Sequence, residues 1–338
     1  MALALGRGVM VRAAAVETPG SGVSAVGRTV IPVGRAVGIK LFSDGVMVVG
    51  FSQIPAAGGT VTPARTCGLK EGDIITHINS AEVDTIEEVQ TQLSQIGGDE
   101  MSIRATRDGK QVQVTAQAVQ CSTDGAYKLG AWLRDSMAGI GTMTYYDPAT
   151  GSFGALGHGI NDVDTAQLMP LESGGILYAT VSDVKKGARG EPGELHGVFE
   201  LTKDLGELKA NTTSGIFGVL EDAALTQGME PVEVASRAEV ETGKATICSN
   251  VAGDEVKEYE VEITKLFPDS GDTRNLMLKV TDPALLAATG GIVQGMSGSP
   301  ILQNGKLVGA VTHVLVGDPT QGYGILAENM METQAHLS

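Results

Sequence analysis

The chain has 338 residues, long enough at roughly 100–200 residues per domain for two domains or three small ones. Its 24 Lys+Arg against 40 Asp+Glu leave a formal net charge of −16, a surface that repels phosphate backbones and anionic headgroups and so argues against nucleic acid as a partner. The 46 glycines are about twice the usual share of roughly 7%, and aromatic residues are only 4%, which predicts an aliphatic core, tight turns and many short strands.

Residues 1–34 read as a flexible arm of small residues, a weak match to an export signal because Arg7 and Arg12 interrupt its apolar stretches. No run approaches the 18 apolar residues of a membrane helix. Residues 35–119 form a compact strand-rich unit: VGIKL, VMVVGF, a Gly/Pro/Ala loop, GLKEGDIITHINSAEV, then a helical stretch with Ile86, Val89, Leu93 and Ile96 on one stripe. Two alternating runs follow, joined by the hairpin signal Asp108-Gly109. The motif from Ala64 to Val83 resembles a PDZ domain, with Ser80 where that family has a glycine. Residues 120–338 carry many short strands bounded by turn residues, the pattern of an all-β barrel or sandwich. Cys67, Cys121 and Cys248 lie far apart with no zinc-ligand spacing, so neither a metal, a cofactor nor a disulfide framework is expected.

The sharpest chemical signal runs from Gly290 to His313, GGIVQGMSGSPILQNGKLVGAVTH. Glycines at 295 and 298 let the backbone turn so that the N–H groups of Gly295 and Ser297 converge as an oxyanion hole, with Ser297 as the attacking hydroxyl and Ser299 a structural neighbour. A serine needs an imidazole base. His336 is terminal, His77 lies in the PDZ-like strand, His196 sits in an acidic segment, and His313 alternates with Val311 and Leu315 as a wall residue. His158, between Gly157 and Gly159, is left. The orienting carboxylate is Asp162, Asp164 or Asp282, and spacing leaves the choice open; Asp282-Pro283 is also a good helix start.

Together the PDZ-like unit, GALGHGINDVDT, VTDPALLAATGGIVQGMSGSPI and GKLVGAVTHVLVGDPTQGYGI resemble the stage IV sporulation protein B peptidase family of endospore-forming bacteria, from about residue 28 to the C-terminus. The resemblance implies a mainly β chain, a PDZ domain followed by a chymotrypsin-like double β-barrel serine peptidase, with His158, Asp282 and Ser297 at the catalytic positions. It implies a self-cleaving checkpoint endopeptidase acting between the forespore and mother-cell membranes. Its protein substrate would be the extracytoplasmic part of a regulator bound to an intramembrane metalloprotease, and cleavage would start processing of a sigma factor precursor. Membrane association would come only through an export segment not visible in the sequence. Asp282 lies close before Ser297, whereas in a double barrel the acid normally comes from the first barrel.

A PDZ fold takes a peptide as an added strand on a sheet edge and receives its carboxylate on backbone N–H groups. Gly38, Ile39, Lys40 and Leu41 are the expected peptide-binding residues, with Lys40 adding charge. The competing readings are a non-catalytic scaffold that tethers partners at a membrane, and a thiol hydrolase using Cys248, which lacks a glycine-rich turn.

Overall fold

The computed structural model describes residues 27–337 apart from 269, 271 and 272. In chain order its principal strands are β1 (Thr29–Pro32), β2 (Ala36–Phe51), β3 (Ile74–Ile78), β4 (Glu100–Arg107), β5 (Lys110–Gln117), β6 (Ala131–Asp147), β7 (Ser152–Ala155) and β8 (Ser173–Lys185). They continue as β9 (Glu194–Thr212), β10 (Gly215–Leu220), β11 (Gly243–Ala252), β12 (Glu255–Leu266), β13 (Leu276–Val280), β14 (Pro300–Gln303), β15 (Lys306–Val314) and β16 (Gln321–Leu326). The helices are α1 (Pro63–Thr66), α2 (Ile86–Ile96), α3 (Pro283–Thr289) and α4 (Ala327–Ala335).

Local chemistry explains where these elements start and turn. Thr85 Oγ1 accepts from the Glu88 N–H at 3.2 Å while the Glu88 carboxylate accepts from the Thr85 N–H at 3.1 Å, a capping box that starts α2 and contributes about 1 kcal/mol. The helix buries Val89 and Leu93, the centre of the stripe seen in the sequence. Asp108 and Gly109 have φ of 50° and 72°, and Asn304 and Gly305 have 53° and 76°; two successive left-handed residues make the tight turns that join β4 to β5 and β14 to β15. In the GLKEGD turn the buried Asp73 takes the Arg107 guanidinium at 2.6 and 2.7 Å and the Lys70 N–H at 2.8 Å, so its charge is paired rather than stranded.

Two six-stranded barrels carry the rest. β2, β6, β7, β10, β9 and β8 pair antiparallel in that order, and because β8 pairs back onto β2 the circuit closes. β11, β12, β13, β16, β15 and β14 form the second barrel, closed where Ile247 meets Ile301. Closure removes the unpaired edges that an open sheet of this length would expose. The first barrel is filled by Val37, Ile39, Met143, Phe153 and Ile176 among others, and the second by Ile247, Val261, Ile263, Leu278 and Ile301. A third core, with Val46, Ile75, Ile78, Val89 and Ile103, belongs to the PDZ unit.

The unit boundaries differ from those expected. β2 serves two units, placing Val37 and Ile39 in the first barrel and Val46 and Val48 in the PDZ core. β1 is part of the expected arm 1–34, yet it pairs with β6 and buries Val30 and Ile31; residues 1–26 of that arm lie outside the described residues. The PDZ unit is therefore inserted into the first barrel between β2 and β6 instead of preceding it.

The expected peptide edge is also corrected. Gly38, Ile39, Lys40 and Leu41 face Ile140, Gly139, Ala138 and Met137 of β6 on one side, and Leu177, Ile176, Gly175 and Gly174 of β8 on the other. Both edges are taken, so no peptide can add there. The Lys40 ammonium meets the Asp204 carboxylate at 2.8 Å. An alternating apolar run fits any strand with a buried face, and here two strands of the same chain supply the neighbours. Among the described residues no helix is long and apolar enough to cross a membrane.

Candidate active site

The loop after α3 is shaped by glycines. Gly290 ends the helix at φ 75°, and Gly295 and Gly298 have φ of 95° and 97°, which L side chains avoid. At Gly298 a Cβ would overlap the carbonyl oxygen of Thr142, so this position also needs a bare backbone. Ser297 sits at the crest, and its Oγ donates to the Thr312 carbonyl at 2.8 Å. The carbonyls of Gln294, Gly295, Met296 and Ser297 are all engaged: by Leu195 N–H at 2.9 Å, Thr142 Oγ1 at 2.7 Å, Ser299 N–H at 3.0 Å and Thr142 N–H at 2.9 Å. The N–H groups of Gly295 and Ser297, by contrast, donate to no acceptor among the described residues.

His158 follows β7 across a sharp bend in which Leu156 and Gly157 have φ of 67° and 70°. The Asn211 side chain holds the other end of the loop, accepting the Ile160 N–H at 2.8 Å and donating to the carbonyls of Ile160 and Met169 at 2.9 and 2.8 Å. His158 Nδ1 lies 2.8 Å from the Gly159 carbonyl. Because a carbonyl only accepts, Nδ1 carries the proton and Nε2 is left with the lone pair. Burial lowers the pKa of this imidazole, and the bond to Gly159 opposes the shift only in part.

His158 and Ser297, one from each barrel, line a single cavity of about 480 Å³ together with Gly295 and His313. The rings of His158 and His313 are 5.2 Å apart and tilted by 42°, so His313 is a wall of the site. Apolar residues make most of the remaining lining, among them Ile39, Ile140, Leu156 and Ile292.

None of the three candidate acids reaches His158. Asp282 caps α3: its Oδ1 accepts from Ala284 N–H at 2.8 Å and Leu285 N–H at 3.0 Å, and its Oδ2 from Glu260 N–H at 3.3 Å. Its expected catalytic position is thereby corrected, since the carboxylate faces the backbone of its own helix and of β12. Asp162 is buried, accepts from the Thr165 N–H and hydroxyl at 2.8 and 2.9 Å and pairs with Arg134. Asp164 pairs with the same guanidinium at 2.8 Å. These two brace the segment after His158 against β6. Burial and, to a lesser degree, the Glu258 charge push the Cys248 thiol up to about 12, the opposite of an activated thiol.

Thr142, Thr312 and Asn211 were not visible as site residues. Each acts on backbone or side-chain groups distant in sequence, and no local motif marks that. Only the glycine at 298 hinted that another backbone comes close.

A model of the SpoIVB peptidase S55 family matches residues 125–331, and a PDZ domain model matches residues 57–107. The zinc metalloprotease RasP of Shouchella clausii (strain KSM-K16) is 39% identical over 62 residues, 18% of this chain and 15% of that protein, so the chain spans only a small part of that relative. Among solved structures, the Rv3671c protease from M. tuberculosis in its active form aligns over 59% of this chain and 74% of that one, at 14% identity and TM-score 0.33. The HtrA-type protease AlgW with decapeptide aligns over 62% and 54%, at 12% identity and TM-score 0.35. The family model spans His158, the Ser297 loop and most of both barrels, and the chain belongs to the SpoIVB peptidase S55 family.

Proposed function

We propose that the chain is a serine endopeptidase with Ser297 as nucleophile and His158 as its general base. The observation that carries this is the shared cavity lined by His158, Ser297 and Gly295, the N–H groups of Gly295 and Ser297 having no acceptor among the described residues. Rotation about the Cα–Cβ bond takes Ser297 Oγ from the Thr312 carbonyl toward the imidazole. Oγ then adds to the scissile carbonyl carbon, its proton passes to Nε2 of His158, and the carbonyl oxygen becomes an oxyanion received by the N–H groups of Gly295 and Ser297. Collapse breaks the C–N bond, and the departing amine takes the proton from the imidazolium. Water repeats the cycle on the acyl-enzyme, releasing the acid and restoring the serine. The Gly159 carbonyl does the tautomer-fixing part of a triad acid's work. The apolar lining favours apolar substrate side chains next to the cut bond.

The finer reading rests on family membership. The substrate is the extracytoplasmic part of a regulator bound to an intramembrane metalloprotease, the enzyme acts between the forespore and mother-cell membranes, and it first shortens itself near its N-terminus. The PDZ unit docks a peptide, at a place other than residues 38–41. The test is to incubate the purified chain, follow its length, and label it with a fluorophosphonate. The wild type should shorten and take the label, and Ser297→Ala should do neither while melting at the same temperature. A folded wild type that neither shortens nor labels would support the scaffold reading instead.

A further inference from the structure

We infer that Thr142 is a positioning residue that locks the oxyanion loop and registers it against the base; this rests on the peptidase reading above. Thr142 lies on β6 of the first barrel and is buried. Its N–H donates to the Ser297 carbonyl at 2.9 Å, its Oγ1 donates to the Gly295 carbonyl at 2.7 Å, and its own carbonyl accepts the Leu156 N–H at 3.2 Å. One residue of the first barrel thus grips the second barrel's nucleophile loop at two points and, at a third, the bend that delivers His158.

The side-chain bond is the one that matters for chemistry. The oxyanion donors are useful only while their peptide planes stay fixed, and the plane between Gly295 and Met296 lies between the two donors. Gly295 has no Cβ to hinder rotation of this plane. Its carbonyl accepts only from Thr142 Oγ1 among the described residues, whereas the carbonyls of Gln294 and Met296 are held by backbone N–H groups. Rotation of the Gly295–Met296 plane would break that hydroxyl bond and the Met296 N–H to Val293 carbonyl bond of 3.1 Å, leaving the segment that links the two donors unanchored.

The experiment uses the full chain and hydrolysis of a p-nitrophenyl ester, with Ser297→Ala as background and a peptide boronate as mimic of the tetrahedral adduct. Thr142→Val keeps shape and both backbone bonds and deletes only the hydroxyl; Thr142→Ser keeps the hydroxyl. The Val variant should lose roughly 10-fold to 1,000-fold in kcat, the upper end being the loss of a whole oxyanion donor, with KM within about threefold and boronate affinity falling in step with kcat. The Ser variant should recover to within about fivefold of wild type. A Val variant with kcat within twofold of wild type overturns the inference, as does an equal loss in Val and Ser, which would mark a packing role. If Thr142→Val does not fold, Thr142→Ser, Thr142→Ala and Thr142→Cys are ranked instead, and a kcat order that ignores the hydroxyl overturns it equally. A wild type showing no Ser297-dependent hydrolysis and no boronate binding overturns the peptidase reading, and this inference with it.

Discussion

Replacing Asp282 separates a catalytic acid from a helix cap by a wide margin. Its Oδ1 holds the N–H groups of Ala284 and Leu285, and Oδ2 holds that of Glu260 at the longer distance of 3.3 Å. Asn keeps Oδ1 as the cap acceptor and gives up only the long bond, so Asp282→Asn should cost well under about 1 kcal/mol and leave turnover within about twofold of wild type. Ala loses all three bonds, and the expected cost is about 1–2 kcal/mol. α3 has only seven residues and runs directly into the nucleophile loop, so Asp282→Ala should also lower turnover, through a loosened loop and not a changed base. Stability is read from urea unfolding and turnover from Ser297-dependent ester hydrolysis. The reasoning is refuted if Asp282→Asn unfolds like wild type yet loses three or four orders of magnitude in turnover, the loss expected when a triad acid is made neutral.

The remaining expectations concern the base and the sheet edge. Burial holds His158 below the ordinary histidine value, so the imidazole is neutral in the fold while the unfolded chain takes up its proton first; its contribution to stability is full above about pH 6.5 and is lost as pH falls through the folded value. The acid limb of turnover should accordingly have its midpoint below pH 6.5. A kcat/KM profile whose acid limb lies above pH 7 would contradict this. At the edge, amide hydrogens of residues 38–41 should exchange slowly with or without added free-acid peptides, because β6 and β8 already flank them. Peptide-dependent protection confined to those four residues would show that one of the two pairings opens.

What the sequence made legible was local. The α2 stripe and the Asp-Gly and Asn-Gly turns depend on neighbours within a few positions, and each stands where it was expected; the glycines that frame Ser297 and His158 are a signal of the same short range. Residues 37–41 were recognisable as a strand but not as a strand with two occupied edges, since the alternation that marks a buried face carries no information on its partners. Asp282 was readable both as an acid and as a cap, and only the positions of the Ala284, Leu285 and Glu260 amides decide between them. Thr142 was beyond reach because its hydroxyl acts on a carbonyl 153 residues away.

The shared strands give the molecule a particular engineering logic. Because β2 leaves the first barrel at Phe42 and β6 re-enters it at Ser136, opposite one another in register, the PDZ unit is a detour whose two ends lie about 5.5 Å or less apart. A chain started at residue 120 would not be the peptidase without its PDZ unit: it would lack the strand that closes the first barrel between β6 and β8, leaving both with raw edges beside the cavity. Splicing residue 42 to residue 136 through a two-residue Asn-Gly link instead removes the detour and keeps the barrel whole. The same geometry makes β6 the direct covalent link between the PDZ unit and Thr142, which lies seven residues beyond Asp135, whose carboxylate holds the first N–H of α2 at 2.9 Å.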